Sequence, residues 1–457
     1  MQKTVVINVV GLTTNLIGDH TPFLKKWLEN KTLSLVNPVL PAVTCSVQST
    51  YLTGKMPNEH GIVGNGWYFK DECEVKFWKQ SNKLVQSPKI WDRAKAVDEK
   101  FTCANMFWWY NMYSGADYSV TPRPMYLADG RKMPDAYSWP HSLRDRLQDE
   151  LGTFPLFEFW GPRTSIKSSQ WIADASIKVN EWHDPTLTLI YLPHLDYCLQ
   201  KFGAEDAKTY KDLGEIDGVC KQLIEYFEGK STKVILVSEY GISNVDNPIH
   251  LNRVLRKNGL IEVREERGLE LLDAGACKAF AVADHQVAHV YVNDVSALDQ
   301  VKSILEKTPG IEKVLDKSGK QFHNIDHERA GDFVVIADKN SWFTYYYWLD
   351  DSKAPDFARI VDIHKKPGYD PVEMFANPDI KFLMPKVALK LLKKKIGMRM
   401  LMDIIPLDAT LVKGSHGRVP EDKGEWPIVA GKDVPKATVS MDATRVFDII
   451  YDHLISK

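Results

Sequence analysis

Short apolar runs alternate with longer amphipathic segments along this chain. Uninterrupted apolar runs of five to seven residues are typical of strands buried on both faces. We predict such strands over residues 5–10, 186–192, 233–238 and 333–337. Between the second and third runs, residues 206–228 have the pattern of a helix, which Gly229 ends. This order of strand and helix predicts an α/β fold, with a mainly parallel central sheet and helices on both faces.

Two stretches interrupt the alternation. Residues 104–165 are rich in aromatic side chains and contain several prolines, so we predict an inserted cap that covers a site. Residues 285–330 contain a strand-like run at 288–292, a helix-like run at 295–307 and a further run at 310–315. We interpret them as a small inserted subdomain of the βαβ type. No repeat or low-complexity tract divides the chain, so we predict one domain over residues 1–457.

Charge and cysteine usage narrow the class of partner. The 58 basic and 60 acidic residues give a net charge of -2, which provides no broad field for a nucleic acid duplex. A small phosphate-containing substrate remains open because it needs only local charge. No stretch approaches the roughly 18 apolar residues of a membrane span. The six cysteines are scattered without a CxxC pair, and no secretory signal is evident, so we predict a cytoplasmic protein. The sequence carries no signal for an oligomeric state.

The most informative segment is residues 41–65. A proline-bearing loop leads to Thr44, which opens a helix-like stretch. A helix N-terminus presents free backbone N–H groups to a phosphoryl group, and a hydroxyl there can attack phosphorus once its pKa is lowered. The alternative is that Thr44 or Ser46 only caps the helix.

The same segment resembles the nucleophile region of the type I phosphodiesterase/nucleotide pyrophosphatase family, in the alkaline phosphatase superfamily. The residues that match in order and spacing are Thr44, Thr53-Gly54, Pro57, His60-Gly61-Ile62-Val63 and Asn65. The resemblance implies an alkaline-phosphatase-like domain with Thr44 as nucleophile. It assigns Asn65 as a donor to the oxygens of the transferred phosphoryl group, and His60 stays outside the family's metal set.

The family binds two zinc-type ions through Asp and His side chains, and this chain matches that set only in part. Asp196, after a strand, and His416, in Gly414-Ser415-His416-Gly417, correspond to ligands of one shared ion. Val10 stands where the family has an Asp ligand. The resemblance therefore implies a divalent metal held by Asp196, His416, Gln200, Glu239 and Tyr240. The metal is Zn²⁺ by resemblance. Oxygen donors dominate this ligand set. The alternatives are therefore one ion in place of two, or Mn²⁺ or Mg²⁺ in place of Zn²⁺.

Further side chains carry weaker signals. Arg418 follows the His416 motif and is predicted to bind substrate phosphate, with a surface ion pair as the alternative. Asp284, His285 and His289 are metal-ligand types, but their strand-like surroundings argue against a shared ion. The aromatic tracts 108–110 and 342–348 can stack a nucleobase or form a buried strand.

These features give three hypotheses for function. The first is a metal-dependent hydrolase of phosphodiester or pyrophosphate bonds with a phospho-threonine intermediate at Thr44. The second is a phosphoryl-transfer or phosphonate-cleaving enzyme of a biosynthetic pathway on the same scaffold. The third is a non-catalytic homologue that binds a phosphate ligand, which the replaced ligands at Val10, Gln200 and Tyr240 favour.

Overall fold

The structure is a computed structural model that describes residues 1–398 and 400–455. Its strands are β1 (Thr4–Val9), β2 (Thr32–Leu35), β3 (Gly66–Phe69), β4 (Glu74–Phe77), β5 (Cys103–Met106), β6 (Tyr118–Pro122), β7 (Met125–Tyr126), β8 (Lys132–Met133), β9 (Ala136–Trp139), β10 (Leu187–Leu192), β11 (Lys233–Val237), β12 (Ser243–Asn244), β13 (Asn247–Ile249), β14 (Val263–Glu266), β15 (Leu269–Leu272), β16 (Ala279–Asp284), β17 (Val287–Val292), β18 (Ile311–Leu315), β19 (Phe333–Ala337), β20 (Ser341–Phe343), β21 (Gly414–Ser415) and β22 (Ile428–Gly431).

The helices carry the amphipathic segments. They are α1 (Pro22–Leu28), α2 (Thr44–Thr53), α3 (Pro57–His60), α4 (Ile90–Val97), α5 (His141–Leu151), α6 (Ile166–His183), α7 (His194–Phe202), α8 (Ala207–Gly229), α9 (Leu251–Lys257), α10 (Leu298–Lys307), α11 (Lys317–Phe322), α12 (Leu383–Lys395) and α13 (Arg445–Ile455). Among the helices in the described ranges, none combines the length and apolar character needed to cross a bilayer.

The main sheet has eight strands in the order β2-β22-β11-β1-β10-β5-β6-β9. The five strands from β11 to β6 are parallel to their neighbours, whereas β2, β22 and β9 pair in antiparallel fashion. Helices α6 and α8 pack together against β10 and β11, and α13, with α2 and α4, forms a second group against β1. Covered on both faces, β1 and β10 are buried along their full length, which confirms the predicted α/β fold.

A second sheet of four antiparallel strands, in the order β16-β17-β19-β18, has its own apolar core. The predicted subdomain over residues 285–330 contains β17, α10, β18 and α11. The sheet also takes in β16 and β19. The predicted strand at residues 333–337 therefore exists as β19, but it pairs with β17 and β18 in this second sheet.

The predicted cap over residues 104–165 includes strands of the main sheet and also contributes Trp109, Phe159 and Trp160 to the pocket described below. Most of β5 and all of β6 and β9 lie in this stretch, and all three strands extend the main sheet. The aromatic residues that suggested a covering insertion are largely core residues, because Phe107, Trp108 and Phe154 are buried in the main apolar core. Aromatic content alone does not distinguish a cap from a sheet with large side chains.

Candidate functional site

The candidate site lies where parallel strands of the main sheet end. Because β1, β10 and β11 are adjacent and parallel, the residues that follow them meet at one edge of the sheet. Val10 follows β1, Asp196 lies in the first turn of the helix after β10, and Glu239 and Tyr240 follow β11. The fold thus brings together positions that are more than 200 residues apart in sequence.

Thr44 is the first residue of α2, a helix with every side chain buried. The preceding Val43 occupies the N-cap position and provides no side-chain cap. The Thr44 hydroxyl lies 3.0 Å from the Tyr240 hydroxyl, and Ser46 donates to the carbonyl of Ile62. Neither hydroxyl caps the helix, so the capping alternative is wrong. Thr44 instead directs its oxygen into the site from the positive end of a helix.

Asn65 joins the start of α2 to the second sheet. Its Oδ1 accepts from the backbone N–H of Cys45 at 3.0 Å. Its Nδ2 donates to Asp284 Oδ1 at 3.2 Å and to the Tyr369 hydroxyl at 3.1 Å. Burial raises the pKa of the Asp284 carboxyl to about 6. The amide is therefore held beside Thr44, and donation to a phosphoryl oxygen requires that it exchange one of these partners.

Tyr240 connects Thr44 to Asp196. Its hydroxyl donates to Asp196 Oδ1 at 3.2 Å, so the Thr44 hydroxyl is the donor in the Thr44–Tyr240 bond. The Tyr240 ring stacks on His416, with centroids 3.9 Å apart and planes 5° apart. Burial raises the pKa of the Tyr240 phenol well above its usual value and that of the Asp196 carboxyl to about 7. A neutral phenol thus lies between the candidate nucleophile and the carboxylate.

The Asp196–His416 side of the site fits one divalent ion. His416 donates its Nδ1–H to the carbonyl of Ala42 at 2.8 Å, which leaves Nε2 as an acceptor, and burial lowers its pKa to about 3. Nε2 is 3.7 Å from Asp196 Oδ1, close to the roughly 3.4 Å that separates two donors of one tetrahedral ion. Both polar atoms of the buried Gln200 amide lack a hydrogen-bond partner among the described residues, so its oxygen is free to face an ion. These are the residues that would hold a metal.

The Glu239–Tyr240 side does not fit a second ion. Glu239 Oε1 accepts from Asn8 Nδ2 at 2.5 Å and from Gln48 Nε2 at 2.6 Å, so that oxygen is already saturated. Burial also raises the pKa of Glu239 to about 8, which weakens it as an anionic ligand at neutral pH. Val10 has no donor atom, and Tyr240 retains its proton. On this side of the site Glu239 Oε2 is buried without a hydrogen-bond partner among the described residues, and a single carboxylate oxygen does not make a second ion site.

Sequence reasoning missed part of the pocket wall. His285 lines the pocket; its Nε2 lies 3.0 Å from the Tyr369 hydroxyl, and its ring lies 3.9 Å from the His416 ring. Tyr369 itself carried no motif. His289, by contrast, bonds to the carbonyl of Val63 and lies outside the pocket. The turn that separates β16 from β17 places His285 at the site. The sequence signal that could have located it is the break in the strand pattern at residues 285 and 286.

The pocket is narrow, with a cavity volume of about 30 Å³. Its polar floor is formed by the residues described above, and its walls are mainly aromatic: Trp78, Trp109, Phe159, Trp160, Tyr191, Tyr197 and Tyr369. Of the described residues that line it, none is lysine or arginine. The tract 342–348 forms a separate buried cluster, whereas Trp109 alone represents residues 108–110 in the pocket wall.

Arg418 lies outside this wall. Its guanidinium pairs with Glu312 and Glu421, each at 2.6 Å, and these carboxylates hold its pKa above the usual range. Arg418 therefore forms ion pairs, as the alternative stated, and the geometry does not support the predicted contact of Arg418 with substrate phosphate.

One group of metal-ligand types lies outside the pocket. His194 Nε2 is 3.6 Å from Asp212 Oδ1 and 3.6 Å from Glu215 Oε2. Among the residues described by the structure, these three form a compact donor group with all ligand atoms within 4.8 Å of one another. Any measurement of bound metal therefore has to separate this group from Asp196 and His416.

Comparisons with known proteins agree with the fold and identify the family. Residues 4–370 match the model of the family described as type I phosphodiesterase/nucleotide pyrophosphatase. Ectonucleotide pyrophosphatase/phosphodiesterase 2 of Saccharomyces cerevisiae is 25% identical over 269 residues, which are 53% of this chain and 48% of that protein. Its paralogue 1 from the same yeast is 25% identical over 332 residues, 65% of this chain and 42% of that protein. The chain spans about half the length of the curated relatives it matches.

Solved structures share the fold at low identity. Human ectonucleotide pyrophosphatase/phosphodiesterase 5 superposes with a TM-score of 0.61 at 14% identity, covering 100% of this chain and 96% of that one. Phosphonoacetate hydrolase from Sinorhizobium meliloti, in complex with phosphonoformate, gives a TM-score of 0.62 at 13% identity, with 99% and 96% covered. The match over residues 4–370 spans most of the chain and confirms the resemblance of the Thr44 segment. The chain belongs to the type I phosphodiesterase/nucleotide pyrophosphatase family.

Proposed function

We propose that this protein hydrolyses a phosphodiester or pyrophosphate bond of a small phosphate-containing substrate, with Thr44 as the nucleophile. The observation that carries the proposal is the chain of hydrogen bonds from Thr44 through Tyr240 to Asp196, which starts at the N-terminus of a buried helix and opens into the pocket. A hydroxyl held by a neighbouring acceptor has its oxygen lone pairs directed away from that acceptor.

Each residue of the site has a step in this mechanism. Thr44 attacks phosphorus, the leaving oxygen departs, and water then cleaves the phospho-threonine. The Thr44 proton passes to the Tyr240 oxygen as Tyr240 gives its own proton to Asp196. Asn65 and the first backbone N–H groups of α2 donate to the phosphoryl oxygens. A divalent ion held by Asp196, His416 and Gln200 would supply charge neutralisation at these oxygens.

The aromatic walls support a substrate that carries a planar or apolar group beside its phosphate. Base-to-aromatic stacking contributes about 1–3 kcal/mol per base. Murine ectonucleotide pyrophosphatase/phosphodiesterase 5, which shares this fold, was solved in complex with AMP. Without a lysine or arginine in the described wall, phosphate recognition depends on helix α2, Asn65 and the ion. A nucleotide-like ester is therefore the first substrate class to test. A cytoplasmic location stays a prediction.

Two alternative functions have their own support. The altered ligand set and the superposition on phosphonoacetate hydrolase favour cleavage of a phosphonate. The saturated Glu239 and the Tyr240 phenol favour a homologue that binds a phosphate ligand without turnover. Product analysis separates these from the main proposal, because C–P cleavage leaves a carbon product and free phosphate, and binding alone leaves the ester intact.

The test compares Thr44→Ala with Ser49→Ala. Both change a buried hydroxyl on α2, but the Ser49 hydroxyl has no hydrogen-bond partner among the described residues. Purified full-length protein is assayed on p-nitrophenyl phosphodiesters, dinucleotides and phosphonoacetate, with Zn²⁺, Mn²⁺ or Mg²⁺ added. We expect Thr44→Ala to lose activity by about a thousandfold or more, Ser49→Ala to retain it, and mass spectrometry to find phosphate on the Thr44 peptide.

Metal content is measured on the same preparations. We expect His416→Ala to lose a bound ion that Asp212→Asn retains, since Asp212 belongs to the group outside the pocket. Hydrolysis by Thr44→Ala at the wild-type rate contradicts the proposal. Wild-type protein that binds nucleotide but turns over no ester with any ion supports the binding homologue.

A further inference from the structure

The helix α12 packs in the reverse of the usual orientation. Surface helices of globular proteins bury their apolar stripe and expose their charges. Here Lys386 and Lys390 face the protein, where both ammonium groups contact the Asp403 carboxylate. Met384 and Leu392, on the other side, are 74% and 56% exposed. The charged face of α12 thus holds it to the segment that follows it, residues 401–403, and the apolar face is turned outward.

The exposed apolar surface continues beyond both ends of the helix. Phe382, directly before it, is 81% exposed, and Ile396 and Met398, directly after it, are 65% and 51% exposed. Leu389 and Leu391 lie between them and are also exposed. Isolated exposed apolar residues are ordinary, but a contiguous group of this kind marks a surface that something covers.

The charge of the segment identifies what covers it. Between Asp379 and Asp403 the sequence has six lysines, one arginine and no acidic residue, although the whole chain has a net charge of -2. Asp403 pairs with two of these lysines, whereas Lys393 and Lys395 are exposed beside the apolar face. A surface that combines apolar side chains with flanking cations matches the boundary of an anionic bilayer, where apolar groups enter the acyl region and lysines reach the phosphates.

We propose that residues 382–398 lie on the surface of a membrane that contains anionic lipid. Such a helix lies in the plane of the interface and does not cross it. Backbone hydrogen bonds hold the two ends of the stretch that contains α12. Asn377 N–H donates to the carbonyl of Ile404, and Ile405 N–H donates to the carbonyl of Arg359. The segment that precedes this stretch contributes Ile363 and Tyr369 to the pocket wall.

Vesicle flotation tests the proposal with the full chain. Vesicles of phosphatidylcholine mixed with phosphatidylserine are compared with vesicles of phosphatidylcholine alone, at low and high salt. Phe382→Ser combined with Leu391→Gln removes exposed apolar groups that make no core contact. The matched control is Phe322→Ser, because Phe322 at the end of α11 is 82% exposed and lies outside the segment. Size-exclusion chromatography with light scattering gives the mass of each variant.

We expect wild-type protein and Phe322→Ser to float with the phosphatidylserine vesicles and to release at high salt. The double variant should bind at least about tenfold more weakly. Equal binding by the double variant, or an equal loss in Phe322→Ser, overturns the proposal. Wild-type protein that ignores both vesicles also overturns it; if that protein is a dimer that the double variant dissociates, a second copy covers the face.

Discussion

Replacement of Tyr240 by phenylalanine tests the proposal that the Tyr240 phenol orients Thr44 and supports Asp196. Phenylalanine keeps the ring that stacks on His416 at 3.9 Å and removes only the hydroxyl. Thr44 then loses its acceptor at 3.0 Å, and Asp196 loses its donor at 3.2 Å. The change is therefore confined to two hydrogen bonds in a buried site.

The magnitude follows from the kind of bond that is lost. The hydrogen bond from Thr44 to the neutral Tyr240 phenol is worth about 0.5–1.5 kcal/mol, which corresponds to about 2- to 13-fold in kcat/KM if Tyr240 only orients Thr44. A larger loss is expected if the phenol also passes the Thr44 proton to Asp196. The folded state also loses about 1–3 kcal/mol, because the Asp196 carboxylate is left buried with fewer partners. Hydrolysis of a p-nitrophenyl phosphodiester and urea unfolding, both at pH 8, measure the two effects.

Tyr345→Phe is the control for the substitution itself. Tyr345 is buried, and its hydroxyl has no hydrogen-bond partner in the part of the chain that the structure describes. We expect this variant to keep wild-type activity and to lose no stability. Tyr240→Phe with wild-type kcat/KM and an unchanged urea midpoint would refute the reasoning, since the phenol would then neither orient Thr44 nor support Asp196.

Three further changes test the packing around the site. Burial lowers the pKa of Lys89 to about 7, against about 10.4 for an exposed lysine. Between these two values only the unfolded chain binds the proton, so the free energy of unfolding should rise with pH from about 7 to 10. Urea titrations should show this rise in the wild type and a flatter dependence in Lys89→Met. Gly66→Ala would place a Cβ 2.4 Å from the Phe77 ring, and we expect a loss of about 1–3 kcal/mol in urea unfolding. Glu373→Gln removes the carboxylate that contacts the buried Lys366 ammonium and leaves Asp370 as its acidic neighbour. We expect a cost of up to about 3–5 kcal/mol by thermal denaturation, most of which the double variant Lys366→Met/Glu373→Leu should recover.

The central strands were predictable from sequence because their burial on both faces leaves a continuous apolar run. The predicted runs at 186–192 and 233–238 differ from β10 and β11 by one residue at one end. Which sheet a strand joins was not predictable from its own residues. The run at 333–337 is as apolar as the central strands, but its partners β17 and β18 are set by tertiary pairing.

The candidate site was predictable where a motif marked it and not where loops from the second sheet completed it. The motif located Thr44 and Asn65, and the loop after a strand located Asp196. Tyr369 and His285 reach the pocket through the second sheet and the segment after it, and no spacing in the sequence relates them to Thr44. Arg418 shows that nearness in sequence is not enough. It lies two residues after His416, yet its guanidinium does not reach the pocket.

The position of β22 has a consequence for how the chain folds during synthesis. This strand lies between β2 and β11 in the main sheet, although some 390 positions separate it from β2 along the chain. Until β22 leaves the ribosome, β2 has no neighbour in the sheet and β11 presents an open edge. An open edge of this kind invites pairing with other chains. The nascent chain should therefore depend on chaperones while this edge is open. Released chains truncated before residue 428 should be more sensitive to protease than the 457-residue chain.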